Sequence, residues 1–534
     1  MLAELLDGVA HRVDTAWGTP TIPVTGITSD SRLVAPGDLY VALPGAARHG
    51  ADFVPQAITA GAVAVLTDAA GRASIGTTGV PVLVVDDPRR DMAQLAARIY
   101  AHPADVLDMY AVTGTNGKTT TTFLLEAALR AAGHHAGIVG TIGYLLDGVP
   151  LQTVRTTVTT PESTEVHALL GHLRDRGADS VVMEVSSHAL VLGRADAITF
   201  DVAAFTNFGR DHLDFHGDEE SYFAAKASLF TAERTRHAVI NRDDPRAAQL
   251  IGPIQAAGEI GLTTISLSDP AADYWASSVH TGADGRSRVS ARTRSRSLDF
   301  TLSLPGEFNV RNALTALAML DVTGIDLEAA AAGLAAAQVP GRMQRVDLGP
   351  EAPLIYVDFA HTPQAVAAAL AAIRSRRSIA VLGCGGDRDR AKRRPMGAAA
   401  AYAADLVIVT DDNPRSEDPA AIRAEVLAGA LAAQRAGSLP VTAVDGGDRR
   451  SAIALALSQA RPEDAVAILG KGHELGQEIG GQILPFDDAT VVREQWAALH
   501  PRRSTPARAP HAGGAQGDGP ARNQHSLGGA EAGR

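Results

Sequence analysis

Residues 109–133 read MYAVTGTNGKTTTTFLLEAALRAAG: an apolar strand-like run, a turn with two glycines, then an alanine- and leucine-rich helical stretch. This strand, glycine turn and helix is the opening of a phosphate-binding α/β domain. Gly114 and Gly117 let the backbone turn tightly and aim its N–H groups inward, and the helix N-terminus adds a dipole that favours anions. Lys118 is placed to reach the β- and γ-phosphates of a nucleotide, and Thr119 offers a hydroxyl suited to Mg²⁺, with Thr120 as its alternate. The general phosphate-loop form G-x-x-x-x-G-K-[ST] has glycine where this chain has Val112. A plain glycine-rich turn is the competing reading, and Gly-Lys-Thr-Thr between a strand and a helix argues against it.

Outward from this turn, apolar runs at DSVVMEVS and AITFDVAAFTN predict further strands of the same domain. The stretch VSARTRSRSLDFTLSLP (289–305) alternates near period two and predicts antiparallel strands in that domain. Before residue 105, short runs such as LYVAL and VAVLTD, broken by Gly, Pro and Asp, predict a small α/β domain. After PGRMQRVD (340–347), the runs LIYVDF, SIAVLG, DLVIVT and AVAILG alternate with alanine-rich helical text, the pattern of an open parallel sheet of Rossmann type. The expected organisation is α/β throughout: domains at 1–104, 105–340 and 341–500, and an unstructured tail at 501–534, rich in Gly, Ala, Pro and Arg.

Bulk properties narrow the function. A chain of 534 residues exceeds the size at which one core stops growing, so several domains are expected. The formal charge of -12 disfavours nucleic acid as a partner. One cysteine, Cys384, cannot form an internal disulfide or supply a Cys-rich zinc site. There is no run of about 18 apolar residues and no basic n-region at the start, so a cytoplasmic protein without membrane insertion is expected.

The loop TGTNGKTT (113–120), with EVSSHAL (184–190), FTNFGRDHLDFHG (205–217) and YFAAKASLF (222–230) in this order, resembles the Mur ligase family, whose relatives include the folylpolyglutamate synthases. The resemblance runs almost to residue 500. It implies an ATP-dependent, amide-bond-forming ligase that works through an acyl phosphate, with Mg²⁺ as cofactor and ATP as co-substrate. Gly114, Thr115, Asn116, Gly117, Lys118, Thr119 and Thr120 are implied to hold ATP phosphates, with Thr119 on a metal. Glu184 and His212 are implied ligands of a second Mg²⁺. Lys226 is implied to be carbamylated, which turns a cation into an anion that supports that metal. Lys118, Glu184, His212 and Lys226 are thus the implied catalytic set. Taken singly, Glu184 reads as a buried pair partner, His212 as a structural histidine and Lys226 as a helix-surface cation; the surrounding motifs decide otherwise. LPGEFNVRNALTALA (304–318) places Asn309 at the nucleotide. Arg342 at the hinge, and Asp358 and His361 in VDFAHTP (357–363), are further implied ATP contacts, with Phe359 where tyrosine is usual.

Within the family, the opening TSDSRLVAPGDLYVALPGAARHGADF (28–53) resembles the UDP-binding domain of the members that add the third residue of the stem peptide of peptidoglycan precursors. Ser31, Arg32, Thr159, Thr160, Ser186 and Arg194 are the implied contacts of a UDP-muramoyl dipeptide, with Val158 where asparagine is more usual. In the third domain, Arg388, the DNPR stretch Asp412–Arg415 including Asn413 and Pro414, and Gly470 and Glu474 of GKGHE are the implied contacts of meso-diaminopimelate. That amino acid differs from lysine by a distal carboxylate, so its site needs a cation there, and Arg415 provides one. A buried arginine left without a carboxylate costs several kcal/mol, which would discriminate against lysine. The alternatives are a lysine-adding relative, a folylpolyglutamate synthase, the zinc-binding amidotransferase partner that the single cysteine argues against, and a catalytically silent nucleotide-binding protein on the same fold. A monomer is expected.

Overall fold

The strand that feeds the glycine turn, Asp108–Thr113, lies in the middle of an eleven-stranded sheet, hydrogen-bonded on one side to Ser180–Glu184 and on the other to Phe200–Phe205, both parallel to it. The computed structural model describes residues 1–13, 22–45, 47–152, 158–373 and 376–500; the expected tail at 501–534 lies outside the described residues. Because the central strands are covered on both faces, they read as continuous apolar runs. Their alternate side chains feed two cores: Tyr110 and Val112 pack with the helices Lys118–Ala131 and Glu307–Val322, and Met109 and Ala111 with the helix Ser163–Asp175. The sheet continues through Thr235–Asn241 and Gly261–Ser266, both parallel, to the strands Tyr274–Thr281, Ser287–Arg292 and Ser297–Leu302. The last three pair antiparallel, as their period-two text requires.

A five-stranded sheet precedes this one, ordered Arg12–Val13, Val82–Val84, Ala64–Thr67, Asp38–Ala42 and Gly26–Thr28, parallel except for its first strand. A six-stranded sheet follows, ordered Gln344–Arg345, Leu354–Asp358, Ala465–Leu469, Ser378–Leu382, Leu406–Val409 and Thr442–Asp445. Only its short first strand is antiparallel. In such open sheets the loops beyond the carboxyl ends of the strands hold the ligands, and every residue implied for ATP or amino-acid binding in the last two sheets lies in or near such loops.

The third sheet is anchored by a charge pair sealed from water. Arg449 and Asp488 both have side chains 0% exposed, joined at 2.7 Å from Nε and 2.6 Å from Nη2. Arg449 also donates to the Leu469 carbonyl (3.1 Å), at the end of the strand that leads into GKGHE. Removing one partner of such a pair strands a buried charge, which costs about 3–5 kcal/mol, whereas replacing both with apolar groups need not. Asp488→Ala is therefore expected to lower unfolding stability by about that amount in urea titration, and the double substitution Arg449→Met with Asp488→Leu to recover most of it.

Candidate active site

The phosphate loop is shaped by close approaches that only glycine permits. A Cβ on Gly114, at φ +150°, would lie 2.0 Å from the Thr206 hydroxyl oxygen, and one on Gly117, at φ +89°, would lie 2.7 Å from Oδ1 of Asn312. The loop is tied to residues 206–209. Thr115 N–H donates to the Asn207 carbonyl (2.9 Å), Asn116 N–H to Asn207 Oδ1 (2.9 Å), and the Thr206 hydroxyl to the Asn116 carbonyl (2.6 Å). Thr206 and Asn207 act across the sheet, on a loop some 90 residues earlier, a partnership that no local pattern reveals.

Two lysines converge on one carbonyl. Lys118 donates to the carbonyl oxygens of Gly114 (2.8 Å) and Thr115 (3.1 Å), and Lys226 donates to the same Gly114 oxygen at 2.9 Å. Lys226 is 1% exposed, with its ammonium 4.5 Å from the centre of the Tyr222 ring. Burial, reinforced by the charge of Lys118, pushes the Lys226 amine well below its ordinary range. Burial also lowers Lys118, against the pull of Glu184 and Asp211.

Glu184 is fully buried at the end of its strand. Its carboxylate accepts from the Thr119 hydroxyl (2.9 Å) and from the N–H and hydroxyl of Thr141, each at 2.9 Å. Thr119 and Glu184 thus present adjacent hard oxygens of the kind Mg²⁺ prefers; Thr120 is buried beside them on the same helix. His212 sits at a left-handed backbone position, φ +52°, its ring 4.8 Å from His188 and 6.0 Å from Tyr222. Burial lowers its pKa, Asp211 opposes this, and the charges of Lys118 and Lys226 add to the lowering. Among the described residues no three His, Cys, Asp or Glu side chains form a metal-holding group by themselves. A metal at Thr119, or one at Glu184 and His212, would complete its shell with phosphate oxygens and water, the usual habit of Mg²⁺ at nucleotides.

The residues implied for the muramoyl substrate fall in two places. Thr160 donates to the backbone carbonyl of Glu184 (2.8 Å) and accepts from Ser186 N–H (3.1 Å), and Thr159 accepts from the Thr141 hydroxyl (3.1 Å), so these three gather at the carboxyl end of the Glu184 strand. Arg194 is held by Glu162 (3.0 Å) and the Thr160 carbonyl (3.1 Å), and Glu162 also pairs with Arg89 of the first domain at 2.8 Å. Ser31 and Arg32 line a separate open cavity of ≈ 740 Å³ with Tyr40, Phe53, Glu162 and Glu165, between the first two sheets. There Arg32 is an exposed cation paired with Asp30 at 2.6 Å.

Of the residues implied for the far end of a nucleotide, Asn309 donates to the Pro305 carbonyl (2.8 Å), and its neighbour Asn312 packs against Gly117. Asp358 accepts from the N–H groups of Met343 (2.7 Å) and Ala360 (2.8 Å), which fixes the hinge beside Arg342. The guanidinium of Arg342 lies 4.5 Å from the centre of the Phe359 ring, a cation–π contact. His361 is exposed; its Nδ1 is 2.8 Å from the Phe359 carbonyl, and its own carbonyl accepts from Lys392 (3.0 Å).

The implied amino-acid contacts are brought together, with Arg388 at their rim. Asn413 donates to Glu474 Oε2 (2.8 Å), and a Cβ on Gly470 would lie 2.5 Å from Asp412 Oδ2. Pro414 packs its carbonyl on Gly386, and Arg388 is exposed beside Gly385. Two residues absent from the sequence reading complete the group. Lys471, 0% exposed, donates to Glu474 (3.1 Å) and Asn413 (3.3 Å). Glu478 accepts from Arg415 Nε at 3.1 Å. Arg415 therefore already has a carboxylate partner and is only partly buried, so lysine does not leave it as a lone buried cation. The penalty against lysine is correspondingly smaller than the sequence argument expects. A lysine between two assigned residues of GKGHE was a readable signal for Lys471; Glu478 carried none.

Comparison with known proteins agrees with this geometry. The Mur ligase middle domain matches residues 112–320, the Mur ligase glutamate ligase domain matches 341–472, and the description "Mur ligase family, catalytic domain" matches 23–100. The chain is 48% identical over 499 residues to a UDP-N-acetylmuramoyl-L-alanyl-D-glutamate--2,6-diaminopimelate ligase of Streptomyces avermitilis, covering 92% of this chain and 96% of that one. It is 47% identical over 504 residues to the ligase of the same name from Streptomyces coelicolor, with the same coverage. A solved structure of a ligase so named superposes with a TM-score of 0.66 at 33% identity, covering 91% of this chain and 97% of the other. The order of motifs, the three sheets and these relatives lead to one conclusion: the chain belongs to the Mur ligase family.

Proposed function

We propose that this chain joins meso-2,6-diaminopimelate to UDP-N-acetylmuramoyl-L-alanyl-D-glutamate with consumption of ATP, in the making of peptidoglycan precursors. The observation that carries the reading is the pairing of two sites. A phosphate loop with two lysines converging on it stands at the end of the central sheet, and a cluster of Asn413, Arg415, Lys471 and Glu474 stands at the end of the third. The D-glutamyl carboxylate attacks the γ-phosphorus of ATP, releasing ADP and forming an acyl phosphate. The free amine of diaminopimelate then adds to the acyl carbon, and the tetrahedral intermediate expels phosphate to leave the amide.

Lys118 and the inward N–H groups of the loop stabilise charge on the transferring phosphoryl group, and Arg342 approaches it from the hinge. Thr119 would hold one Mg²⁺, and Glu184 and His212, supported by carbamylated Lys226, a second; the ions would neutralise phosphate charge. The depressed pKa of Lys226 favours this modification, because only a neutral amine combines with CO₂. Thr159, Thr160, Ser186 and Arg194 hold the dipeptide end, and Ser31 and Arg32 the uridine end. Arg415, with Arg388 at the rim, receives the distal carboxylate of the amino acid, while Asp412, Asn413, Gly470 and Glu474 address its ammonium groups. With domain limits 1–104, 105–340 and 341–500, the UDP-linked dipeptide spans the first two units, ATP the last two, and the amino acid enters at the third. The reading places the reaction in the cytoplasm, where ATP is supplied, on a monomer; no helix among the described residues is long and apolar enough to cross a membrane.

The test supplies purified chain with ATP, Mg²⁺ and the UDP-linked dipeptide, and measures product mass with diaminopimelate or lysine. Product with diaminopimelate is expected at a kcat/KM at least about a hundredfold above that with lysine; equal use of lysine would refute the acceptor assignment. For Lys226, ¹³C NMR under ¹³CO₂ is expected to show a carbamate signal that Lys226→Arg lacks, together with loss of ligation in that variant. The same signal persisting in the variant would refute the assignment to Lys226.

A further inference from the structure

Arg415 cannot hold its own geometry. Its backbone is left-handed, φ +54°, a conformation that is unfavourable for a residue with a Cβ. The hairpin formed by Gly476–Ile479 and Gln482–Pro485 holds it there. Arg415 N–H donates to the Glu478 carbonyl (2.9 Å), and Gly480 N–H donates to the Arg415 carbonyl (2.7 Å), so Arg415 is bridged in parallel to Ile479. Three side chains add to this stitching. Asn413 Oδ1 accepts from Glu478 N–H (2.9 Å), Gln477 donates to the Asp412 carbonyl (2.6 Å), and Lys471 donates to the Gly476 carbonyl (2.5 Å). The hairpin thus knits DNPR to GKGHE, although neither motif contains it.

The side chain of Arg415 is fixed by the same strand. Glu478 Oε2 accepts from Nε (3.1 Å), and the Gly386 carbonyl accepts from Nη1 (2.7 Å). A guanidinium is planar, so two contacts at different nitrogens set its orientation and leave Nη2 to receive a carboxylate oxygen. With side chains 21% and 39% exposed, the Arg415–Glu478 pair adds little to stability by itself, and its contribution is geometric.

Resting on the proposed acceptor, we infer that Glu478 is a positioning residue for amino-acid selection: it holds the Arg415 guanidinium in the orientation that receives the distal carboxylate of diaminopimelate. It acts through Arg415 and need not touch the substrate.

The full chain is compared with Glu478→Ala and Glu478→Gln, measuring kcat, the KM for each of the three substrates, and thermal unfolding. Glu478→Ala is expected to raise the KM for diaminopimelate about tenfold, with kcat and the KM values for ATP and the UDP-linked dipeptide within about twofold and an unchanged melting temperature. Glu478→Gln keeps an acceptor oxygen for Nε and is expected to recover most of that loss. An unchanged KM for diaminopimelate would overturn the inference. A lowered one would also overturn it, making Glu478 a competitor for Arg415, as would a loss spread evenly over all three substrates with a lower melting temperature. In each of these cases the unaltered chain still makes product; absence of product from the unaltered chain with diaminopimelate would instead overturn the acceptor assignment, and the inference with it.

Discussion

Two ammonium groups on a single backbone carbonyl, that of Gly114, set the terms for the rest of the molecule. Like charges held close in a buried cleft repel each other, and the arrangement is tolerable only where desolvation drives one amine toward neutrality or where an anion is brought in. Both remedies suit the chemistry. In the proposed reaction the depressed Lys226 amine combines with CO₂, and Lys118 serves as the cation for a polyphosphate. The parallel strands deliver Thr113, Glu184 and Phe205 to one edge, and the glycine turn brings the loop against Thr206 and Asn207, so the positive centre is built on rigid strand ends.

The third sheet carries a polar cluster of a different kind, the one proposed to receive the amino acid. Its polar groups are held by one another: Lys471 by Asn413 and Glu474, Arg415 by Glu478, and Arg449 by Asp488 beneath them. Burial pushes Asp412 toward its protonated form, and Arg449 and Lys471 oppose this. A network with most of its partners internal loses little entropy when ligand arrives, which is how preorganisation turns modest contacts into selectivity. The hinge between the sheets is similarly prepared, with Asp358 fixing the turn at Met343 and Phe359 supporting Arg342.

The parts of this arrangement legible in the sequence were those in which chemistry and local backbone coincide. TGTNGKTT joins a strand, a tight turn and a helix in one run, the antiparallel strands after residue 270 follow a period of two, and the apolar runs of the third block correspond to strands of its sheet. Contacts that depend on register between distant segments were not legible. Glu478 meets Arg415 from 63 residues away, and Thr206 reaches Asn116 from 90. Glu478 belongs to no motif, and Thr206, although it lies within FTNFGRDHLDFHG, has a partner that no local pattern reveals; each acts because a hairpin or a strand end delivers it. The same limit explains why lysine discrimination was overstated: the sequence displays the arginine but not the internal carboxylate beside it.

The central claim is that the substrate carboxylate is activated by phosphoryl transfer at the Lys118 loop before any amine adds. The measurement that tests it most directly follows oxygen. With the D-glutamyl side-chain carboxylate of the UDP-linked dipeptide labelled with ¹⁸O, ligation of diaminopimelate should transfer one label into each phosphate released, because the acyl phosphate breaks between carbon and the bridging oxygen. Unlabelled phosphate accompanying labelled amide product would contradict the account, since the carboxylate would then have been activated by some route other than attack on ATP.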